Sequence, residues 1–330
     1  MTDHFLSRRH LLGTAGALAG LVACPAVLRA QSYATKPIRL IVGNAAGGTN
    51  DASARLIAPV LAEELGQPVL VENRPGAAGN LGLGLAARAA PDGHTLFCSS
   101  SVMLATSHTH VNKPADPVAD LEHITMLCDG FFTFSVNADV PARGYAGLLA
   151  LAKSQPGKLK HGSPGAGGNI HLAAELFKLR AGVEMPAVHY SSAGAIITDV
   201  LQNQIQMCIT GIQLTIGHIN AGKLRGLFVA SKEREQLLPS MPTSAELGIK
   251  DLERITNWFG LHAPKGTPAG ALKQIQAATQ KALKLDEVRS KLAAGGFKAI
   301  GDSSESFAAR ILSDDKVFAE AASASKVRIE

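Results

Sequence analysis

Short β-branched runs alternate with longer stretches rich in alanine and leucine along the chain. In the first third this pattern predicts strand 38–42, helix 51–65, strand 69–72, helix 81–90 and strand 94–99. Strands that alternate with helices are typical of a parallel sheet with right-handed crossovers. We therefore expect an α/β fold.

The middle of the chain repeats this rhythm. The predicted elements are strand 132–136, helix 145–154, the short strand end 160–162, helix 170–181, strand 187–190, helix 193–203, strand 206–210, strand 260–263, helix 269–284 and helix 286–294. Two similar α/β units without a long linker predict two lobes that face each other. We expect crossings near Gly130 and Trp258, so that the first lobe contains 31–130 and 260–330 and the second contains 131–259.

Two glycine-rich segments each stand between a predicted strand and a predicted helix. They are 43–51, Gly-Asn-Ala-Ala-Gly-Gly-Thr-Asn-Asp, and 162–171, Gly-Ser-Pro-Gly-Ala-Gly-Gly-Asn-Ile-His. Backbone N–H groups at a helix N-terminus attract anions, and glycine lets the backbone approach a ligand closely. One such segment is also common as a plain connector. One segment in each lobe favours a ligand held between the lobes, and without Lys or Arg in either segment a carboxylate fits better than a polyphosphate.

Other polar clusters carry weaker signals. The glycine cluster 76–84 is interpreted as a turn and helix start, because no acidic residue ends a strand about 20 positions on, as a dinucleotide site requires. His108 and His110 lack a third metal ligand and are interpreted as solvated loop residues. Trp258 favours the core over a ligand contact. The side chain of His171 either contacts ligand or only caps and packs.

Catalytic motifs are missing from the sequence, which contains neither a Gly-x-Ser-x-Gly elbow, nor a P-loop lysine motif, nor His-Glu-x-x-His. A hydrolase with Ser163 as nucleophile and His171 as base is the enzymatic alternative. The proline at position 164 counts against it. We expect a protein that is not an enzyme and uses neither cofactor nor metal.

The N-terminal 30 residues are predicted to be a twin-arginine signal peptide. Arg8 and Arg9 precede the apolar run 11–23, which is shorter than a membrane span. Cleavage after Ala30 is favoured over a lipoprotein cut before Cys24. The periplasm is therefore the expected compartment.

Export also changes the charge. Without residues 1–30, Lys plus Arg falls from 32 to 29 and Asp plus Glu from 27 to 26, so the net charge falls from +5 to +3. A balance of +3 gives no footprint for nucleic acid. Cys98, Cys128 and Cys208 remain, all in apolar runs, which favours buried thiols while leaving one disulfide open.

These residues resemble the substrate-binding receptors of tripartite tricarboxylate transporters, the Bug-type receptors. The resemblance covers nearly all of residues 36–310. Its marks are segments 36–42, 47–51, 54–55, 65–69, 71–76, 79–80, 90–96, 156–159, 171–177, 219–225 and 258–264. The stretch 72–76, Glu-Asn-Arg-Pro-Gly, is particularly specific.

The resemblance implies a type II-like, two-lobed periplasmic binding protein, each lobe a mostly parallel sheet flanked by helices. It implies a monomer that closes on a small carboxylate and delivers it to the membrane subunits of a transporter. The positions expected to bind the ligand are Gly47, Gly48, Thr49, Asn50, Asp51, Ser163, Gly165, Ala166, Gly167, Gly168, Asn169, His171, Tyr190 and Thr210.

This chain departs from the family pattern around the distal part of the ligand. Asn44 and Ala46 stand at usually aromatic and proline positions. Ser191 and Ser192 replace a common Lys-Gly pair, and Thr210 with Gly211 replaces a common Asp-Asn pair. The hypothesis is a less polar carboxylate, such as an aromatic one. A sensor that presents a bound carboxylate to a signalling partner remains the alternative function.

Overall fold

The predicted strands form two separate sheets in the computed structural model, which describes residues 33–190 and 192–330. The predicted signal peptide lies outside the described residues. The strands are β1 Ile38–Val42, β2 Val69–Asn73, β3 Thr95–Ser100, β4 Leu121–Gly130, β5 Phe132–Asn137, β6 His161–Pro164, β7 Ala187–Tyr190, β8 Met207–Gly211, β9 Leu224–Val229, β10 Phe259–Pro264 and β11 Phe297–Ala299.

Both sheets are mixed. Sheet 1 has the order β11-β4-β10-β3-β1-β2, and sheet 2 has the order β7-β6-β8-β5-β9. In sheet 1, β1 is parallel to β2 and β3, while β10 is antiparallel to β3 and β4. In sheet 2, β6 is parallel to β7 and β8, while β5 is antiparallel to β8 and β9.

The two-lobed α/β class is confirmed, and the sheets are mixed: β10 and β11 in sheet 1 and β5 in sheet 2 run against the other strands. The reason is the route of the chain. Only Phe131 separates β4 from β5, so the chain passes directly from one sheet to the other. It returns into sheet 1 with Phe259 beside Cys128, at the end where β4 left. A strand that re-enters at that end must run antiparallel to its neighbour, because a parallel pair needs a crossover.

Ten α-helices are present in the described ranges. They are α1 Thr49–Leu65, α2 Asn80–Ala87, α3 Val102–Thr109, α4 Gly144–Ser154, α5 Asn169–Ala181, α6 Ala193–Leu201, α7 Ile212–Asn220, α8 Ala269–Lys284, α9 Asp286–Ala294 and α10 Ser304–Ser325. Among the described residues, no helix combines the length and apolarity needed to cross a membrane.

Helix α3 corrects the interpretation of His108 and His110 as solvated loop residues. His108 and Thr109 form the last turn of α3, and His110 follows as its C-cap. The Nε2 atom of His108 lies 2.7 Å from Oδ1 of Asp315 on α10. The expected loop is therefore a helix end held by a partly buried pair.

Helix α10 joins the two sheets. Its Phe318 belongs to one apolar cluster that also contains Phe97 from sheet 1 and Phe134 from sheet 2. Trp258, fully buried just before β10, donates its indole N–H to Asp314 on α10 over 3.2 Å. The expectation of a core role for Trp258 is confirmed.

The sequence left open whether two of Cys98, Cys128 and Cys208 form a disulfide. In the structure all three are free thiols and are buried. Burial raises the pKa of Cys128 and of Cys208 to about 12. Burial also raises the pKa of Cys98, whose thiol donates to Oδ1 of Asn50 over 2.9 Å. Cys98 therefore serves as a hydrogen-bonding group beside the first glycine-rich segment.

Candidate ligand-binding site

The first predicted segment forms a loop, residues 43–48, between β1 and α1; we call it loop 1. The carboxylate of Asp51 fixes this loop by hydrogen bonds. Oδ2 of Asp51 accepts from the backbone N–H of Gly47 over 2.9 Å, and the carboxylate also receives Nε of Arg55 and Nδ2 of Asn73. Asn73 further donates to the carbonyl of Asn44. Loop 1 is thus shaped by a network that the sequence patterns did not reveal.

The charge state of Asp51 follows from this network. Its burial alone would raise the pKa. The hydrogen bonds from Arg55, Gly47 and Asn73 outweigh burial and hold the pKa below its ordinary value. Asp51 is therefore ionised, and its carboxylate oxygens accept hydrogen bonds from protein donors.

Loop 1 is also fastened to β3 and α2. Nδ2 of Asn50 donates to the carbonyl of Cys98 over 3.1 Å and to Oδ1 of Asn44 over 2.9 Å. Gly82 of α2 packs directly on Gly43, where a Cβ on Gly82 would lie 2.9 Å from Cα of Gly43. The cluster 76–84 thus provides a turn, a helix start and a close approach, as interpreted from the sequence.

The second predicted segment forms loop 2, residues 165–168, between β6 and α5. The N–H of Gly167 donates to Nδ1 of His171 over 3.0 Å, and its carbonyl accepts from Oγ1 of Thr109 over 3.0 Å. Gly167 has φ +75°, and a Cβ there would lie 2.7 Å from Oγ1 of Thr109. Glycine is required at this position both for the backbone angle and for the space.

Strand β3 is the common anchor of the two loops. Asn50 beside loop 1 bonds to Cys98 in β3. Nδ2 of Asn169 beside loop 2 donates to Oγ of Ser101, which directly follows β3, over 2.9 Å. The structure therefore brings both predicted segments to the same end of sheet 1, although they are more than a hundred positions apart in the chain.

The two helices that start at these loops both follow a glycine, and in α5 the N–H of Ile170 is already bonded to Oδ1 of Asn169 over 2.8 Å. Gly48 is the N-cap of α1 and Gly168 is the N-cap of α5, and neither helix has a side-chain cap. Helices α2, α3, α4, α7, α8 and α9 also lack a side-chain cap, whereas Ser192 caps α6 and Ser303 caps α10. Uncapped first-turn N–H groups lie at the positive end of the helix dipole and can donate hydrogen bonds to an anion.

The carboxyl edge of sheet 2 places the remaining candidates beside loop 2. Tyr190 is the register partner of Pro164, and β8 runs parallel on the other side of β6. The hydroxyl of Tyr190 donates to Asp199 over 2.8 Å, and burial with this contact raises its pKa to about 12. Thr210 is fully buried, and its Oγ1 has no hydrogen-bond partner among the described residues.

A cluster of titratable groups on and beside the start of α5 lies next to loop 2. The Nε2 atom of His171 lies 3.5 Å from Oε1 of Glu175, and the ring packs edge-on against His189. Burial would raise the pKa of Glu175, but His171 and Lys178 lower it to about 2. Burial lowers the pKa of His161 to about 4, so this ring is neutral near pH 7.

The predicted residues thus divide by exposure. Gly47, Gly48 and Thr49 are exposed, and Gly165, Ala166 and Gly168 are partly exposed. The side chains of Asn50, Asp51, Ser163, Asn169 and His171 are buried and bonded to the protein. The free groups at the two loops are therefore mostly backbone.

The hydrolase alternative finds no geometric support. The hydroxyl of Ser163 donates to the carbonyl of Gly165 over 2.8 Å, and both ring nitrogens of His171 face other partners. A nucleophile and its base should lie within hydrogen-bond reach. Ser163 and His171 do not form such a pair.

Several residues that shape the site carry no local signal in the sequence. Asn73 stands in the specific segment 72–76, but its role becomes visible only through β1–β2 pairing. Ser101 and Thr109 follow β3 in a stretch for which no element was predicted. Two cavities of about 620 and 680 Å³ lie apart from both loops, one beside α3 and α10 and one beside Phe131 and α9.

Two α/β lobes with an uncapped glycine loop in each define a two-lobed binding protein. The family model for the tripartite tricarboxylate transporter family receptor matches residues 53–320. The chain belongs to this family.

Its relatives cover nearly its whole length. It is 36% identical over 291 residues to the UPF0065 protein in the gbd 5′ region of Cupriavidus necator, covering 88% of this chain and 87% of that one. It is 32% identical to Protein BugT of Bordetella pertussis strain Tohama I, covering 88% and 90%. A structure of R. palustris Rpa4515 with adipate superimposes with a TM-score of 0.75 at 28% identity, covering 89% and 98%.

Proposed function

We propose that this protein is a periplasmic receptor that captures a small carboxylate between its lobes and delivers it to the membrane subunits of a tripartite tricarboxylate transporter. The observation that carries the proposal is the pair of uncapped glycine-led helix starts, Gly48 and Gly168, both anchored on β3. Family membership and the adipate-bound relative support the carboxylate class.

The chemistry of the loops favours a carboxylate over a more highly charged anion. Arg55, which belongs to the hydrogen-bond network that fixes loop 1, is already paired with Asp51 at 3.0 Å. The anion would be held by backbone N–H groups and hydroxyls, whose partial charges suit a single carboxylate. A phosphate or polyphosphate would call for a free Lys or Arg at the loops.

The distal part of the ligand would meet the carboxyl edge of sheet 2. Asn44 is used inside loop 1, and Ser192 is used as the cap of α6. Thr210 contributes one buried hydroxyl there without a protein partner. The family commonly has an Asp-Asn pair where this chain has Thr210 and Gly211. The loss of the carboxylate at this position supports a less polar ligand, such as an aromatic carboxylate.

Capture would involve closure of a lobe made of 31–130 and 260–330 on a lobe made of 131–259. The chain crosses between the sheets at Phe131 and again just before Phe259. Such double crossings act as a hinge in binding proteins. We further propose export by the twin-arginine route, cleavage after Ala30, a monomeric mature protein and no catalysis.

A thermal-shift screen of residues 31–330 tests the ligand class. The panel contains short dicarboxylates and aryl carboxylates, each paired with its carboxamide. A ligand at about a hundred times its dissociation constant adds roughly 2.7 kcal/mol, which raises the melting temperature by several degrees. We expect shifts with aryl carboxylates and none with the amides. Shifts with short dicarboxylates alone would contradict the less polar ligand.

Uptake separates a transporter receptor from a sensor. A strain that lacks this protein should lose accumulation of the radiolabelled carboxylate, and the gene supplied in trans should restore it. Unchanged accumulation together with a lost transcriptional response to the same carboxylate would favour the sensor.

A further inference from the structure

A basic groove of about 620 Å³ lies between the end of α3 and the C-terminal tail that follows α10. Its basic side chains are His108, His110, Lys113, Lys326 and Arg328. Among the described residues, no Asp or Glu lines it. No residue of loop 1 or loop 2, which both lie within the described ranges, lines the groove itself.

Three of these side chains give the groove its standing charge. Lys113, Lys326 and Arg328 are exposed and form no ion pair with any described residue. Burial lowers the pKa of His110, so this ring is neutral near pH 7. His108 is engaged by Asp315. The groove therefore presents three unpaired cations to solvent.

Stabilisation of the helix dipole explains only one of these three cations. Lys326 is the C-cap of α10, where a cation stabilises the negative end of the helix dipole. Lys113 and Arg328 lie outside every helix. Their convergence on one concavity is explained by a negatively charged occupant.

The wall of the groove is continuous with loop 2. The tail is fixed by two backbone hydrogen bonds, from Val111 N–H to the Ile329 carbonyl over 2.9 Å and from Ile329 N–H to the Thr109 carbonyl over 2.8 Å. Thr109 in turn donates to Gly167, and Ile329 packs 3.3 Å from the position of a Gly167 Cβ. Loop 2 and the wall of the groove are therefore in direct contact.

We propose that the basic groove docks an acidic, partly apolar peptide segment of a partner protein and senses the state of loop 2 through Thr109. The shape favours a peptide over a lipid surface, since a flat bilayer cannot follow a concave wall. The cations come from two parts of the chain, Lys113 after α3 and Lys326 with Arg328 in the tail after α10, so they line two sides of the groove, which suits an extended segment better than a single small anion. The half-exposed Val111 offers apolar contact between the charges.

Fluorescence anisotropy with a labelled octapeptide of alternating glutamate and leucine tests the docking on residues 31–330. We expect saturable binding that weakens with salt. The variant K113E/K326E/R328E should bind at least about tenfold more weakly, and K113Q/K326Q/R328Q should fall between it and the wild type. The control K153E/K158E/K284E has the same change in charge on exposed lysines elsewhere and should bind like the wild type.

Four results would overturn the docking surface. Equal loss in the control would show general charge attraction. Displacement of the peptide by inorganic phosphate at the peptide's own dissociation constant would show a small-anion site. Cosedimentation of the protein with phosphatidylglycerol vesicles, lost in the groove variant without any peptide binding, would show a lipid surface. A melting temperature lowered in the glutamine variant would show a structural role for the cations.

The coupling to loop 2 rests on the proposed function and has its own readout. A carboxylate identified by thermal shift should change the dissociation constant of the peptide about threefold or more in the wild type and leave it unchanged in Thr109→Val. An unchanged constant in the wild type would refute the coupling. If no carboxylate binds at all, the proposed function fails, while the peptide titration still decides the groove.

Discussion

At the scale of single residues, Asp51 and Thr210 illustrate two ways in which a binding site uses a buried polar group. Asp51 accepts from Gly47, Arg55 and Asn73 and so fixes loop 1. Thr210 holds a buried hydroxyl that no described residue engages. The first group belongs to the stability of the loop, and we propose that the second meets the ligand. Substitutions at the two positions should therefore have opposite signatures.

Replacing Asp51 by Asn should lower the free energy of unfolding by about 1 to 3 kcal/mol at neutral pH, since three donors lose a charged acceptor. The pKa of Asp51 is lowered in the folded state, so its contribution is present above its ordinary value of 3.8 and is lost as the pH falls below it. Urea denaturation at pH 7 and pH 3 measures this. The control Asp139→Asn changes an exposed carboxylate. A gap between wild type and variant that is as large at pH 3 as at pH 7 would contradict the assignment.

Replacing Thr210 by Val should leave the free energy of unfolding within about 1 kcal/mol of the wild type, because no protein hydrogen bond is lost. Ligand affinity should fall about tenfold, or about 1.4 kcal/mol. Its register partner Thr133 gives the matched control, since Oγ1 of Thr133 bonds to Oγ1 of Thr215 at 2.7 Å. Thr133→Val should cost about 1 to 3 kcal/mol of stability. Unaltered affinity in Thr210→Val would remove Thr210 from the site.

At the scale of elements, the sequence predicts where helices and strands lie better than it predicts which of them pair or pack together. The bounds of β7, α8 and α9 agree residue for residue with the predicted ones. Helix α10 and strands β4 and β9 were missed, because α10 buries a polar Asp314 and β4 is buried along most of its length without alternation. The glycine loops were found from local patterns. Their shared anchor at β3 depends on tertiary pairing, which a local pattern does not encode.

The uncapped start of α5 can be tested by supplying a cap. Gly168 has φ −79°, and a Cβ there would meet no atom within 4 Å, so Gly168→Asp should be accommodated. The new carboxylate should raise the free energy of unfolding by up to about 1 kcal/mol through the helix N-terminus. It should also weaken carboxylate binding at least about tenfold, because it occupies the same N–H groups.

The control for this substitution is Ser303→Asp, which exchanges one cap for another at α10. It should change neither stability nor affinity noticeably. Chemical denaturation and ligand titration of both variants provide the measurement. Gly168→Asp with wild-type affinity would show that the α5 N-terminus does not hold the ligand.

At the scale of the whole molecule, a buried charge cluster lies where the chain crosses between the sheets. Arg310 on α10 bonds to Asp314 at 2.6 Å and lies 3.5 Å from Asp129 at the end of β4. Trp258, at the other crossing, donates to Asp314. The cluster therefore ties α10 to both crossings, and its protonation should be felt by the stability of the whole fold.

Burial raises the pKa of Asp314 to about 6 despite the nearby Arg310. The folded state then binds this proton more tightly than the unfolded chain, so the contribution of Asp314 to stability declines as the pH rises from about 4 to about 6. The decline is at most about 3 kcal/mol. Asp314→Asn should flatten this part of the stability profile, measured by urea denaturation in half-unit steps. A slope identical to that of the wild type would contradict the raised pKa.

In the proposed function, neutral donors at two helix N-termini hold a carboxylate between the lobes. Isothermal titration calorimetry of residues 31–330 with the strongest carboxylate from the screen and with its carboxamide tests it most directly. We expect one site per monomer for the carboxylate, at least about tenfold weaker binding of the amide, and loss of the carboxylate signal in Gly168→Asp. Equal affinity for acid and amide, or full affinity in Gly168→Asp, would contradict it.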